Sequence, residues 1–122
     1  MSDYHEPAGE LSDHARNCTR ALKSLREEVE AVDWYNQRVD VTGDAHLKKI
    51  LAHNRDEEIE HACMTLEWLR RNMPGWDEEL RTYLFTEGDI TTLEEGEEGG
   101  DGEGADGDEE SSGGSSLGIG KL

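Results

Sequence analysis

Glu58 and His61 form a Glu-x-x-His motif, and both of these side-chain types bind metal ions in proteins. If the segment is helical, five residues project within roughly 40° of Glu58: Leu47, Leu51, Ala62, Thr65 and Leu69. Glu58 therefore lies on an apolar stripe, where an ionised carboxylate costs several kcal/mol unless a cation or hydrogen bonds compensate it. His61 lies about 60° from Glu58 and one turn along, so both can bind one ion. The motif predicts a metal site.

Two long helices must carry this site. The first begins after the N-cap Ser12 and ends near Val41, with apolar residues alternately four and three apart: Leu11, Ala15, Cys18, Leu22, Leu25, Val29 and Val32. Residues 42–44 break the pattern, and the last of them, an aspartate, is a suitable N-cap for a second helix. That helix runs to about Asn72, because the Met-Pro-Gly sequence of residues 73–75 cannot continue it.

A third, shorter helix is predicted from Trp76 or Asp77 to about Phe85, with Leu80, Leu84 and Phe85 on one side. No segment has the alternating pattern of a strand, so the fold class is all-α. The short turn between the two long helices makes them an antiparallel hairpin.

The apolar stripe of the second helix is too wide for one partner helix to cover. Ile50, Ile59 and Leu66 flank the stripe, so a second hairpin is needed to bury them. Two-fold pairing of two hairpins produces a four-helix bundle in which each residue near the axis occurs twice. The sequence therefore predicts a dimer.

Glu28 is the carboxylate of the first helix that is best placed to join the site. It lies about 80° from the centre of the apolar seam, on the flank that a second hairpin would cover, whereas Glu27 and Glu30 point away. A dimer would contribute Glu28, Glu58 and His61 twice, which gives six ligands for two metal ions, as in carboxylate-bridged helical bundles. Mixed carboxylate and imidazole ligands suit iron or manganese.

The amino-acid composition argues against several other classes of function. Half of the net charge of −18 lies in residues 94–122, which are mostly Gly, Asp, Glu and Ser and cannot form a core. The strong negative charge argues against nucleic acid and anionic membranes as partners, and no stretch reaches transmembrane length. Cys18 and Cys63 form no C-x-x-C pair, and no signal peptide is apparent, so we expect a reducing cytoplasm.

Residues 4–95 resemble the encapsulated ferritins, short ferritin relatives that are carried inside encapsulin nanocompartments. Three segments carry the resemblance: EEVEAVDWYNQRVD, ILAHNRDEEIEHACMTLEWLRRN and LRTYLFTEGDIT. It implies a ferritin-like bundle, a ring of five dimers, and oxidation of iron that passes to the encapsulin lumen. It also implies roles for seven residues: ferroxidase ligands at Glu28, Glu58 and His61, an acidic iron access site at Glu27 and Glu30, and aromatic residues near the centre at Trp34 and Tyr35.

The last residues resemble the cargo-loading peptide of encapsulin cargo proteins, a short segment that docks on the inner wall of the shell. Leu117 and Ile119 share one face of an extended strand, and Leu122 supplies a third apolar anchor. We therefore predict four parts: a disordered N-terminus over 1–11, a half-ferritin helical domain over 12–93, an acidic Gly-rich linker over 94–115, and the shell-binding peptide over 116–122.

Two functions agree with these features. The first is a ferroxidase that oxidises Fe2+ with O2 at a di-iron centre across the dimer interface, inside an encapsulin nanocompartment in the cytoplasm. The alternative is a non-catalytic metal-binding or scaffold cargo protein, whose metal only stabilises the dimer. Simpler interpretations also stay open for some residues, because acidic helix faces are common and aromatic residues often serve packing: Glu27, Glu30, Trp34 and Tyr35.

Overall fold

The computed structural model describes residues 4–94, and every regular element within them is helical, which confirms the all-α class. Three α-helices and two short 3-10 helices follow in this order: a 3-10 helix at Ala8–Glu10, α1 at Asp13–Val41, α2 at Ala45–Asn72, α3 at Trp76–Tyr83 and a 3-10 helix at Ile90–Thr92. These residues form two compact units, the first ending at Pro74 and the second starting at Gly75.

The ends of α1 follow from local hydrogen bonds. Ser12 is the N-cap, and its hydroxyl accepts from the backbone N–H of Ala15 at 3.0 Å. At the other end, Thr42 adopts an extended conformation, and its backbone N–H and its hydroxyl both donate to the carbonyl of Arg38. These contacts satisfy backbone groups that a helix end would otherwise leave without partners, so α1 begins and ends where the sequence predicts.

The first unit is an antiparallel hairpin of α1 and α2. Asp44 starts α2 by accepting from the backbone N–H of Leu47 at 2.8 Å. Two side-chain hydrogen bonds join the helices: Thr65 to Glu28 at 3.2 Å, and Arg55 to Asn36 at 3.0 Å. The residue that is later on α1, Asn36, pairs with the residue that is earlier on α2, Arg55. This order is that of two antiparallel helices.

The hairpin buries little of its apolar surface. Among the described residues, Cys18 and Leu69 are the only buried hydrophobic residues, whereas Ile50 and Ile59 are 48% and 43% exposed. This agrees with the expectation that a single partner helix leaves the flanks of the α2 stripe uncovered. Val29, which the spacing assigns to the α1 seam, is 55% exposed. Glu28, by contrast, is half-buried. The face of α1 that packs against α2 is therefore centred closer to Glu28 than the spacing indicates.

The second unit begins at Gly75, the N-cap of α3, whose φ of 102° is a conformation that favours glycine. Helix α3 ends at Tyr83, two residues before the predicted end. Phe85 lies outside the helix with a φ of 60° and is 91% exposed, so it does not continue the apolar side of α3. Across residues 4–94, no helix has the length and apolar character that crossing a membrane requires.

Candidate metal centre

Helix α2 brings Glu58 and His61 together because they lie one helical turn apart. Nδ1 of His61 lies 3.6 Å from Oε1 of Glu58, and their side chains are 43% and 27% exposed. This distance is too long for a good hydrogen bond, so the two groups are neighbours that are not locked to each other. A carboxylate and an imidazole in this arrangement can share one cation.

Glu28 reaches the same face of α2 from the other helix. Its Oε1 accepts a hydrogen bond from the hydroxyl of Thr65 at 3.2 Å, in a partly buried position. Thr65 lies four residues after His61 and seven after Glu58, so the three residues share one face of α2. The structure thus directs the first-helix carboxylate toward the face that carries the motif, although residues 28 and 65 are far apart in sequence.

A single chain does not assemble a closed site from these residues. Within residues 4–94, no group of three or more His, Cys, Asp or Glu side chains is close enough to hold a metal ion. In this part of the chain, Glu28, Glu58 and His61 therefore do not form a closed set of three ligands.

The other residues singled out from the sequence differ in their exposure. Glu27 and Glu30 are exposed on α1. Trp34 is 49% exposed, which is high for so large an aromatic side chain, whereas Tyr35 is half-buried. The guanidinium of Arg38 lies 5.1 Å from the centroid of the Tyr35 ring, within the range of a cation–π contact. Leu117, Ile119 and Leu122 lie outside the described residues.

Other acidic groups of α2 differ from Glu58 in their partners. Two arginines, Arg70 and Arg71, donate to the carboxylate of Glu67 and lower its pKa from 4.5 to about 2. His53 and Glu57 form an exposed pair with 3.3 Å between Nε2 and Oε2. Glu67 therefore forms ion pairs with arginines on its own helix, whereas Glu58 lies beside His61.

The sequence pattern did not predict the hydrogen bond from Thr65 to Glu28, because Thr65 counted only as a member of the apolar stripe. The signal was its spacing, since a hydroxyl seven residues after Glu58 and four after His61 lies on the predicted site face. Its partner on α1 could not be identified from spacing, because that depends on how the two helices are rotated against each other.

Comparison with known proteins shows which family the chain belongs to. Residues 3–87 match the model of a family described as EncFtn-like. The chain is 60% identical over 123 residues to a protein of Thermotoga maritima named "Ferritin-like protein", with all of both chains covered. It is 57% identical over 120 residues to the "Encapsulated ferritin-like protein" of Rhodospirillum rubrum, covering 97% of this chain and 86% of that one.

Among solved structures, the chain is similar to the crystal structure of protein ne0167 from Nitrosomonas europaea. The two share 61% identity and a TM-score of 0.70, over 73% of this chain and 98% of that chain. The similarity to that structure is therefore one of sequence as well as of fold. The matched family region contains both long helices, and with them Glu28, Glu58 and His61.

Proposed function

Since this chain belongs to the EncFtn-like family, the encapsulated ferritins, we propose that it is a ferroxidase that oxidises Fe2+ to Fe3+ with O2. Iron is the substrate. The observation that carries the proposal is the hydrogen bond from Thr65 to Glu28, because it brings the first-helix carboxylate onto the face of Glu58 and His61. Two carboxylates and an imidazole form a ligand set that suits iron.

The reaction centre in this proposal lies between two copies of the chain. Each copy contributes Glu28, Glu58 and His61, so that six side chains hold two iron ions. Each Fe2+ loses one electron to O2, and the anionic carboxylates stabilise the higher charge of Fe3+. His61 helps to determine the geometry and the reduction potential of the ions. The exposed flanks of α2 at Ile50 and Ile59 support pairing of two hairpins.

The surrounding residues have supporting roles in this proposal. Glu27 and Glu30 form an exposed acidic access site that attracts Fe2+ toward the centre, and the chain's charge of −18 favours cations in general. Trp34 and Tyr35 lie close to the centre of the dimer interface. The dimers associate further into a ring of five.

The shell partner in this proposal is an encapsulin, which receives the oxidised iron for mineral storage in a nanocompartment within the cytoplasm. Residues 12–93 form the half-ferritin domain, 94–115 the linker and 116–122 the docking peptide. Two findings support this: a relative at 57% identity is named as encapsulated, and the alignment with the Thermotoga maritima protein extends over the whole chain, tail included.

Fe2+ oxidation under air, followed optically, tests the proposal. The wild-type protein should oxidise Fe2+ well above the rate in buffer, and Glu58→Ala should return the rate to the buffer value. Glu78→Ala removes an exposed carboxylate of α3 and serves as the matched control, with an unchanged rate expected. A wild-type rate equal to that of buffer would leave the alternative, a scaffold cargo protein whose metal only stabilises the dimer.

A further inference from the structure

The hydroxyl of Thr65 donates to an acceptor outside its own helix. A threonine within a helix commonly donates to the carbonyl four residues earlier, as Thr82 does with Glu78 in α3. Thr65 instead donates across the hairpin to Oε1 of Glu28 on α1, at 3.2 Å. Its hydroxyl therefore forms a contact between helices, and a neutral donor bonds to a carboxylate in a partly buried position.

The location of this contact connects it to the metal centre. Thr65 is half-buried on the α2 face that also carries His61 and Glu58. The hydroxyl uses one lone pair of Oε1 of Glu28, so the carboxylate keeps lone pairs on both oxygens that can bind a cation. A threonine hydroxyl is a weak ligand for iron compared with a carboxylate, so the role that suits Thr65 is to orient Glu28.

We propose that Thr65 is a positioning residue that holds the Glu28 carboxylate toward the Glu58 and His61 face before iron arrives. The inference rests on the proposed function, since it assumes that these three residues bind the iron substrate. A glutamate side chain has several rotatable bonds, and it loses conformational entropy when it is ordered around a cation. This loss weakens cation binding. A hydrogen bond that restricts the carboxylate beforehand removes part of that cost.

Two substitutions separate the hydroxyl from the shape of the side chain. Thr65→Val keeps the branched shape and removes the donor, whereas Thr65→Ser keeps the donor and removes a methyl group. Thr82→Val is the matched control, because the Thr82 hydroxyl donates only to its own helix in the structure. All three variants are made in the full-length chain, and circular dichroism verifies their helix content.

The first measurement is anaerobic titration with Co2+, followed by calorimetry and by the visible absorption of the bound ion. Thr65→Val should bind Co2+ about tenfold more weakly, as is typical for the loss of an outer-shell partner of a metal ligand. Its absorption spectrum should change, because Glu28 is no longer held in one orientation. Thr65→Ser and Thr82→Val should stay within about twofold of the wild-type affinity.

The second measurement is the rate of Fe2+ oxidation as a function of Fe2+ concentration. Thr65→Val should raise KM for Fe2+ more than it lowers kcat, because the ligands themselves remain. The inference would be overturned if Thr65→Val kept the Co2+ affinity, the absorption spectrum and the KM of the wild type. It would also be overturned if Thr65→Ser and Thr65→Val lost equal Co2+ affinity, since that would indicate a packing role.

The two proposals fail in different ways. If Glu58→Ala abolishes oxidation while Thr65→Val behaves as the wild type, the role of Thr65 is wrong and the ferroxidase function stands. If Thr65→Val weakens Co2+ binding in a protein that does not accelerate oxidation, Thr65 positions a metal ligand and the ferroxidase function is wrong. A wild-type protein that neither binds Co2+ nor accelerates Fe2+ oxidation overturns both.

Discussion

Glu28 on α1 and Thr65 on α2 are joined by a hydrogen bond of 3.2 Å across the helical hairpin. The hydrogen bond reflects how α1 is rotated relative to the face of α2 that carries Glu58 and His61. It also explains why Glu28 is half-buried, whereas its neighbours Glu27 and Glu30 are exposed. Of the acidic residues in this part of α1, Glu28 is therefore the one that the packing brings toward the motif.

Glu28→Ala should lower the number of tightly bound iron ions per dimer and slow oxidation by at least about tenfold, since even outer-shell partners of a metal contribute this much. Glu27→Ala and Glu30→Ala should keep the number of bound ions, and slow oxidation only at low Fe2+. Metal analysis after desalting, combined with the optical rate, measures both quantities. If Glu28→Ala changed neither the number of bound ions nor the oxidation rate, the first-helix ligand would be Glu27 or Glu30 instead.

Fe2+ should promote association of the chain. In the proposed dimer the ion binds ligands from two hairpins at once, so binding shifts the equilibrium toward the assembled form by mass action. Native mass spectrometry of the metal-free protein should show smaller species than the same protein with anaerobic Fe2+. Glu58→Ala is the control, and its distribution should not respond to Fe2+. Identical distributions for the wild type in both conditions would mean that apolar packing alone determines the oligomer.

Removing residues 117–122 should leave Fe2+ oxidation unchanged and abolish co-purification with an encapsulin shell. The double variant Leu117→Ala with Ile119→Ala should load weakly, because each aliphatic anchor contributes about 2 kcal/mol of contact free energy. Co-expression with the shell, followed by size exclusion and gel quantification, measures the cargo. Ser111→Ala with Ser112→Ala, within the linker, is a control that should load normally. Full loading of the truncated chain would exclude this segment as the docking peptide.

Leu69→Ala should destabilise the fold by about 2–5 kcal/mol, the usual range for a leucine removed from a packed interior. Leu69 has 0% exposure, the lowest value among the described residues that form the core. Phe85→Ala removes a larger side chain that is 91% exposed, so its effect should stay within about 0.5 kcal/mol. Urea denaturation followed by circular dichroism measures both changes. Similar midpoints for the two variants would show that Leu69 contributes little to the core.

Much of the helical framework could be predicted because its signals are local. Ser12 and Asp44 cap α1 and α2 through bonds to residues three positions away, and these caps lie where the sequence predicts. The family was also predicted from sequence, and the matches over residues 3–87 confirm it. The end of α3 was less predictable: Phe85 has a suitable apolar side chain, but the helix ends at Tyr83.

The sequence by itself determined which residues could bind a metal on α2, because the spacing of Glu58 and His61 defines their separation once the segment is helical. Only the tertiary structure decided how α1 meets that face. Apolar spacing placed Val29 in the seam, yet Val29 is 55% exposed, and Glu28 contacts Thr65 instead. The rotation of one helix against another depends on the packing of many side chains along both helices, so a pattern read from one helix does not determine it.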